Sequence, residues 1–513
     1  MAVSCIFSKI IIAIKKLLRL RVSRIIYLVT AAGVSAALGG CAAGPDYVRP
    51  VAPIPVKYKE TKGWKVARPD NAAIGRAWWR LFNDPLLDSL ETSITISNQD
   101  IIQAEAQYRQ ALALVKAARA GYFPVITAGA SYARSRSTAS SARNTPSLLA
   151  SPATVSDYSV PVDATWDLDV WGRIRRTVEA SRAGAQASEA DLESARLSAQ
   201  TLLAQDYFQL RALDTQGRIL NAAVTAYQES LRLTKNRYES GIASMADVLQ
   251  AETQLKTTQA QAVDIGVQRA QLEHAIALLI GKPASDFSIP HTTLDEEHED
   301  NLPDIPAGLP SELLERRPDI AAAERRVAEA NAQIGIAEAA FYPKITLNAS
   351  AGFQSSSLSK WLAWPSRFWS VGPAINETVF EGGLRRALTD EAKAAYDANV
   401  ASYRQTVLSG FQEVEDNLAA LRILGEESRM QDEAVKSAEK TVSVITNQYK
   451  AGIVSYLNVI NAQTTALNNK RIAAQITGRR LTAAVLLIKA LGGGWDASAL
   501  SLNNAASQTQ RRF

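Results

Sequence analysis

Cysteine and histidine are both scarce in this chain. It has two cysteines, Cys5 and Cys41, and three histidines among its 513 residues. Two cysteines form at most one disulfide, so a disulfide-stapled scaffold is excluded. His291 and His298 lie in one acidic segment, but no second group of ligands at metal-binding spacing accompanies them. We therefore predict no metal site.

Signatures of an active site are missing as well. The sequence has no glycine-rich loop of the kind that cradles phosphate, and no acid and base pair stands apart from the helical charge pattern. The adjacent arginines Arg175-Arg176 and Arg325-Arg326 are interpreted as solvated helix faces. We therefore expect neither an enzyme nor a cofactor.

The charge of the chain gives no support for a nucleic-acid partner. The formal net charge is +5, but residues 1–40 contain six basic residues and no acidic one. Without those residues the formal charge is −1. Domains that bind nucleic acid are usually basic, so no nucleic-acid partner is expected.

The first forty residues have the layout of a secretory signal peptide. A basic region ends at Arg24, an apolar core runs from Ile25 to Leu38, and small residues follow. This core is shorter than the ~20 residues of a membrane-spanning helix. Leu38-Gly39-Gly40-Cys41 resembles the lipobox of bacterial lipoproteins, in which the cysteine is acylated and becomes the mature N-terminus. The alternative is a plain signal peptide followed by a chance cysteine.

A lipidated Cys41 would leave the mature chain without a free thiol, since Cys5 is removed with the signal. Ala42, rather than aspartate, follows the cysteine, and by resemblance to sorted lipoproteins this favours the outer membrane. Residues 41–76 are rich in proline and are expected to form an extended tether behind the anchor.

Two long helical patterns meet at a single break around Gly241. Residues 172–238 lack proline, and their apolar residues recur at steps of three and four. A helix of that length extends about 100 Å, so it needs partners along its length. Gly241 can take the left-handed conformation that ends a helix, and Ser244 with Asp247 can cap the next helix. The pattern predicts an antiparallel helical hairpin, which a purely structural coiled coil would also produce.

In two stretches, 125–132 and 158–168, apolar and polar residues alternate, as they do in a β-strand with one buried face. About ten residues is the length that a tilted strand needs to cross a bilayer. A soluble hairpin with one wet face would alternate in the same way. In the second stretch the apolar face consists of Tyr158, Val160, Val162, Ala164, Trp166 and Leu168, and the polar face of Ser159, Pro161, Asp163, Thr165 and Asp167.

The chain contains this arrangement twice. Residues 118–127 are similar in sequence to residues 337–346, and the Gly241-Ile242 pair recurs as Gly452-Ile453. A spacing of about 210 to 220 residues is far longer than a solenoid repeat and indicates a duplicated half-protein. The predicted organisation is a signal peptide (1–40), the tether (41–76), a first repeat (77–282), a linker (283–310), a second repeat (311–495) and a C-terminal tail (496–513). The linker is interpreted as solvated.

Four strands per chain cannot close a barrel, and an open sheet edge cannot face lipid. A membrane protein with this pattern must therefore pool strands from several chains. Glu377 falls where Trp166 stands in the first repeat. A carboxylate that faces lipid is costly, so we expect Glu377 near the rim of the barrel or turned to its lumen.

The sequence resembles the TolC-like outer-membrane efflux factors, specifically the NodT-type lipoproteins. The resemblance is carried, in chain order, by residues 44–50, 78–87, 166–173, 313–343 and 489–495. It implies a mixed α/β homotrimeric channel in which four strands per chain form a shared twelve-stranded β-barrel and coiled-coil hairpins form a twelve-helix tunnel. It further implies a lipid-anchored outer-membrane duct for drugs or toxic compounds. An inner-membrane pump of the RND type would deliver them through a periplasmic adaptor. A sealed envelope tether is the structural alternative.

The resemblance also assigns the two hairpin tips. Gly241, Ile242, Gly452 and Ile453 resemble the family's tip turns, which meet the adaptor. A helix stop would explain both glycines without any partner.

Leu457, Asn458, Asn461 and Thr464 lie where better-known relatives carry leucine and acidic residues around a periplasmic gate. Their spacing lets most of them share a helix face. Because the carboxylates are absent, we expect closure through amide contacts and a leucine ring, with weak block by cations. The alternative is that acids elsewhere in the lumen set the selectivity.

Overall fold

The computed structural model describes residues 42–60, 75–136, 154–294, 303, 305 and 312–500. The predicted anchor Cys41 and also His298 lie outside these residues. The chain divides into two compact units. The first takes in the described residues of 1–49, 111–184 and 326–399, and the second those of 50–110, 185–325 and 400–513. Each unit draws segments from both predicted repeats.

Long helices dominate the described chain. The α-helices are α1 (Pro85–Ser97), α2 (Gln99–Ala120), α3 (Arg173–Glu239), α4 (Met245–Leu279), α5 (Leu313–Arg316), α6 (Pro318–Ala339), α7 (Leu384–Lys450) and α8 (Tyr456–Ala490). Helices α3 and α7 have 67 residues each, and α4 and α8 have 35 each. The predicted break between two long helices is confirmed in both repeats. In the part of the chain that the structure describes, no helix has both the length and the apolar composition needed to cross a membrane.

The helices of the second unit pack through the predicted apolar stripe. Leu220 and Tyr227 of α3 are buried against Leu255 of α4 and Leu467 of α8. Val224 and Leu231, which the three-and-four spacing placed on the same stripe, pack against this cluster. Contact through this stripe packs α3 against α4 and α8 within the second unit.

The strands form one antiparallel sheet within the first unit, in the order β1-β3-β4-β5, with β2 also paired to β3. Their bounds are β1 (Val125–Ala128), β2 (Ser131–Arg136), β3 (Thr154–Asp167), β4 (Lys344–Ser355) and β5 (Arg367–Asn376). The sequence predicted a single strand over 125–132, whereas a short break at Gly129 and Ala130 separates β1 from β2. Both pieces pair with β3, so the sheet has four strand positions.

The register aligns the apolar residues of neighbouring strands on one face of the sheet. Trp166 pairs with Leu347, which pairs in turn with Pro373. Pairs directly opposite each other point to the same face, so the predicted alternation is confirmed across the sheet. The apolar face contains Ile126, Val160, Val162, Ala164, Trp166, Ile345, Leu347, Ala349, Ala351, Phe353, Trp369, Val371 and Ile375. The other face contains Asp163, Thr165, Thr346, Asn348, Ser350 and Ser370.

Glu377 lies one residue beyond the end of β5. Its carboxylate accepts a hydrogen bond from Arg385 of α7 at 2.9 Å. The same guanidinium pairs with Glu381. The charge of Glu377 is therefore balanced by an arginine at the end of the sheet nearest the helices.

The interpretation of Arg176 as a solvated residue is wrong. Its side chain is 5% exposed. The guanidinium donates to the backbone oxygens of Ala43 at 3.1 Å and Gly44 at 3.2 Å, and to the carboxylates of Asp46 and Glu179. The start of the predicted tether is thus bound to α3, because a buried arginine needs several acceptors to offset its desolvation.

The described part of the linker is not simply solvated either. Ile289, Leu294 and Ile305 are buried. A buried charge network holds the segment in place around Asp214, whose side chain is 1% exposed. The carboxylate of Asp214 accepts from Arg269 at 2.7 Å and from Arg211 at 3.3 Å.

The same arginines bind the linker backbone. Arg269 donates to the backbone oxygen of Ile289 at 2.6 Å, and Arg211 to that of Pro290 at 2.8 Å. His291 contacts Asp214 at 2.9 Å through Nδ1. In the described residues no cluster of histidine, cysteine and acidic side chains has a metal-binding arrangement.

Candidate functional site

The two hairpin tips have the same backbone geometry. Gly241 and Gly452 have φ values of 76° and 78°. In each tip the amide after the glycine donates to a carbonyl five residues back: Ile242 to Arg237 at 2.8 Å and Ile453 to Gln448 at 2.9 Å. The amide of each glycine bonds three residues back. This paired pattern is a Schellman motif, which ends a helix through a left-handed residue.

The residue that follows each glycine is apolar and open to solvent. Ile242 is 66% exposed and Ile453 is 72% exposed. A Cβ atom added at Gly241 or Gly452 would meet no other atom within 4 Å. The glycines are therefore required by backbone conformation and not by crowding, and the turns leave both isoleucines free to contact a partner.

The helices after the tips begin differently. Ser244 and Asp247 form a reciprocal capping box at the start of α4, as predicted. At the start of α8, Ser455 makes no side-chain cap to the backbone, and the Asn458 amide donates to its hydroxyl at 3.2 Å. Asn458, one of the predicted gate residues, thus also orders the first turn of α8.

Three of the four predicted gate residues lie on an exposed face of α8. Leu457 is 50% exposed, and Asn458 and Asn461 are exposed as well. Thr464 is half-buried, because its hydroxyl accepts from Gln254 of α4 at 3.2 Å. The structure therefore brings Leu457, Asn458 and Asn461 together and ties the fourth residue to the neighbouring helix.

The exposed face is backed by a cluster of aromatic side chains. Tyr456 and Val459 of α8 pack with Tyr449 of α7 and Ala251 of α4. Burial raises the pKa of Tyr456 to about 12, so its hydroxyl stays protonated at physiological pH. This cluster fixes the start of α8 against both neighbouring helices.

Sequence reasoning did not find the contact that joins the two tips. The guanidinium of Arg237, in the last turn of α3, lies 4.7 Å from the ring centroid of Tyr449. It also donates to the backbone oxygen of Lys450 at 3.3 Å. Helical spacing shows only which face a residue occupies, so it could not indicate a partner more than 200 residues away.

The carboxylates expected in a cation-binding gate are absent over a long stretch. No aspartate or glutamate occurs between residues 450 and 495, which include all of α8. The polar groups at the exposed start of α8 are amides, which offer hydrogen bonds without charge.

The sequence pattern that defines the outer membrane efflux proteins matches residues 92–282 and again 309–493. The chain belongs to this family. The two matched stretches correspond closely to the two predicted repeats. The resemblance identified from the sequence is confirmed.

Relatives of this outer membrane efflux protein match over nearly their whole length. Toluene efflux pump outer membrane protein TtgC of Pseudomonas putida is 32% identical over 474 residues, 92% of this chain and 96% of the relative. Cation efflux system protein CusC of Escherichia coli is 28% identical over 463 residues, 90% of this chain and 98% of the relative.

A solved structure gives the same result for the fold. The outer-membrane channel OprN matches with a TM-score of 0.82 and 30% identity, over 89% of this chain and 100% of that one. This efflux protein therefore has the mixed helix and strand fold of the family's channels and acts as an outer-membrane efflux channel.

Proposed function

We propose that three copies of this chain pool their strands into one twelve-stranded barrel and their helical hairpins into a twelve-helix tunnel. The observation that supports this is the sheet, which has one apolar face, one polar face and, within the described residues, an edge strand on each side that pairs on one side only. An apolar outer face suits lipid, a polar inner face suits water, and the unpaired edges require neighbours.

In this proposal the channel is the exit duct of a tripartite efflux system. A periplasmic adaptor contacts the tips at Gly241, Ile242, Gly452 and Ile453, and an RND-type pump in the inner membrane supplies the cargo. The cargo is a small toxic molecule or ion, since the relatives are named for toluene and cation efflux. The exposed isoleucines supply an apolar contact of the kind that helical partners use.

Single-channel recording of the purified protein in a lipid bilayer tests the duct. We expect a stepwise conductance from a trimer that native mass spectrometry identifies in mild detergent. Monomers alone, or a trimer with no conductance, would favour a sealed envelope tether. An enzymatic function would have to be tested by a turnover assay for a substrate that binds in a pocket. The family relationship gives no reason to expect such a pocket.

We further propose that Cys41 is the lipidated mature N-terminus. The backbone oxygens of Ala43 and Gly44, just after it, accept hydrogen bonds from Arg176 of α3, so the chain that follows the proposed anchor is bound to the first unit. Mass spectrometry of the mature N-terminal peptide should find acyl chains on Cys41, and Cys41→Ser should mislocalise the protein. An unmodified cysteine at the mature N-terminus would overturn this assignment.

The last part of the proposal concerns a periplasmic gate at Leu457, Asn458, Asn461 and Thr464. Without carboxylates, divalent or trivalent cations should block the channel only weakly from the periplasmic side. Asn461→Asp should strengthen the block, because three like charges around a narrow axis attract cations and raise one another's pKa values.

Conductance with and without added cation measures this effect. Asn236→Asp makes the same amide-to-carboxylate change on α3 and serves as the matched control. Tight block of the unmodified channel, unchanged by Asn461→Asp, would show that these residues are not the gate.

A further inference from the structure

The connection between β4 and β5 is an ordered segment. It contains two short 3-10 turns, Leu358–Lys360 and Trp364–Ser366. The Ser366 hydroxyl donates to the backbone oxygen of Lys360 at 2.7 Å. The ring of Trp361 packs 5.8 Å from that of Tyr158 on β3. The backbone is therefore fixed against the sheet.

Large apolar side chains project from this ordered segment into solvent. Leu358, Leu362 and Trp364 are 62%, 67% and 70% exposed, and Trp369 at the start of β5 is 75% exposed. Contiguous exposed apolar surface on ordered backbone marks a contact with another molecule or with a membrane.

The charges along this part of the chain are mostly positive. Residues 344–376 contain three basic residues and no acidic one, and so do residues 125–156, which include β1 and β2. Asp157, which follows them on β3, pairs with Ala133 on the polar face, and its carboxylate accepts from Gln354 at 2.9 Å. A surface with an excess of cations complements an anionic partner. The basic residues of these stretches that the structure describes are Lys344, Lys360, Arg367, Arg134 and Arg136.

The apolar face of the sheet leads directly to some of these cations. Arg367 pairs with Phe353 and precedes Trp369 on that face, at the end of the sheet farthest from the helices. Its guanidinium lies 4.0 Å from the ring centroid of Trp364. Arg134 follows Tyr132, which pairs with Tyr158 of the apolar face.

The height of the apolar face fits a bilayer. The apolar residues of β3 run from Trp166 to Tyr158, a band of nine residues. A tilted strand crosses a bilayer with about 9 to 11 residues. Lys360 and Trp364 lie in the connection beyond this band, and Arg134 pairs with Ser156 just past its end. Arg367 lies at the level of Val160, near the end of the band, and its long side chain can extend to the head groups. Tryptophan is commonly found at the level of the head groups.

We propose that Arg134, Lys360 and Arg367, with Trp364, bind the phosphate groups of a phosphorylated glycolipid of the lipid A type in the outer leaflet. Arginine suits this ligand because its planar guanidinium can bind two phosphate oxygens at once. The inference rests on the proposed function in one respect, namely that the apolar face of the sheet contacts lipid.

Native mass spectrometry of the purified full-length protein, released from nanodiscs, tests the inference. The nanodiscs contain phosphatidylcholine with a small fraction of either bisphosphorylated lipid A or its dephosphorylated form. We expect roughly tenfold greater retention of the phosphorylated form, the factor that one charge-assisted hydrogen bond supplies. Arg367→Gln should remove most of this preference.

Arg386→Gln provides the matched control. Arg386 is an exposed arginine of the first unit near the start of α7, at the opposite end of the sheet. Its loss should leave the preference for phosphorylated lipid unchanged. Trp364→Ala should lower the retention of both glycolipids.

Equal retention of the two glycolipids, or an unchanged preference in Arg367→Gln, would overturn the inference. Such a result would mean that the segment contacts only the acyl chains of the lipid, through its apolar side chains. Conductance in pure phosphatidylcholine bilayers separates this outcome from a failure of the proposed channel, because the duct needs no glycolipid to conduct.

Discussion

Gly452→Val is expected to abolish export from cells while the amount of assembled protein in the outer membrane stays unchanged. Valine is strained at the left-handed φ of 78° that the tip requires. A Cβ atom added at this residue meets no neighbouring atom within 4 Å, so the expected cost comes from the backbone conformation. The strain therefore distorts the turn that presents Ile453 and leaves the packing elsewhere intact.

Two further variants separate backbone conformation from bulk. Gly452→Asn should retain export, since asparagine tolerates the left-handed region. Gly425→Val adds the same bulk inside α7, where the glycine has ordinary helical φ and open space around it, and should also retain export. Export is measured as the resistance of cells to a toxic substrate. Normal resistance with Gly452→Val would refute the role of the tip in partner binding.

Asp214→Ala should destabilise the protein by about 3 to 5 kcal/mol, the usual cost of removing one partner from a buried ion pair. The arginines that Asp214 accepts from, Arg211 and Arg269, are buried and would lose their common acceptor. The linker segment at Ile289 and Pro290 should loosen with them, since the same guanidinium groups bind its backbone. Thermal unfolding in detergent, followed by circular dichroism, measures the change.

A matched pair on the same helix provides the control. Glu229 and Arg232 lie three residues apart on α3, as do Arg211 and Asp214. The side chains of Glu229 and Arg232, however, are 63% and 65% exposed. Glu229→Ala should leave the unfolding midpoint nearly unchanged, because solvent screens an exposed pair. Similar losses for the two variants would show that the Asp214 network contributes no more than a surface contact.

The helical hairpins and the sheet could be predicted because their signals are local. The φ of Gly241, the capping box of Ser244 and Asp247, and the alternation along β3 all depend on residues a few positions apart. Duplication strengthened the prediction of the helix break, since Gly241-Ile242 recurs as Gly452-Ile453. The family relationship supplied the rest of the functional prediction.

Burial that depends on distant residues could not be predicted. The sequence predicts a solvated helix face at Arg176, whereas its acceptors Ala43, Gly44 and Asp46 lie some 130 residues earlier in the chain and bury it. The proline-rich, acidic composition of the linker predicts a solvated segment, although Ile289 and Leu294 are buried. At the gate, spacing placed Thr464 beside Asn461 but could not show that Gln254 holds it.

The two outer strands of the sheet have a consequence for how quickly the channel matures. β5 at one edge, and β1 with β2 at the other, each pair on one side only within the described sheet. In the proposed trimer, their free backbone groups are paired only after chains meet. Maturation then includes an encounter between chains, so its rate should rise more steeply than linearly with the rate of synthesis. A cell that makes little of this protein would wait disproportionately long for its first working channel.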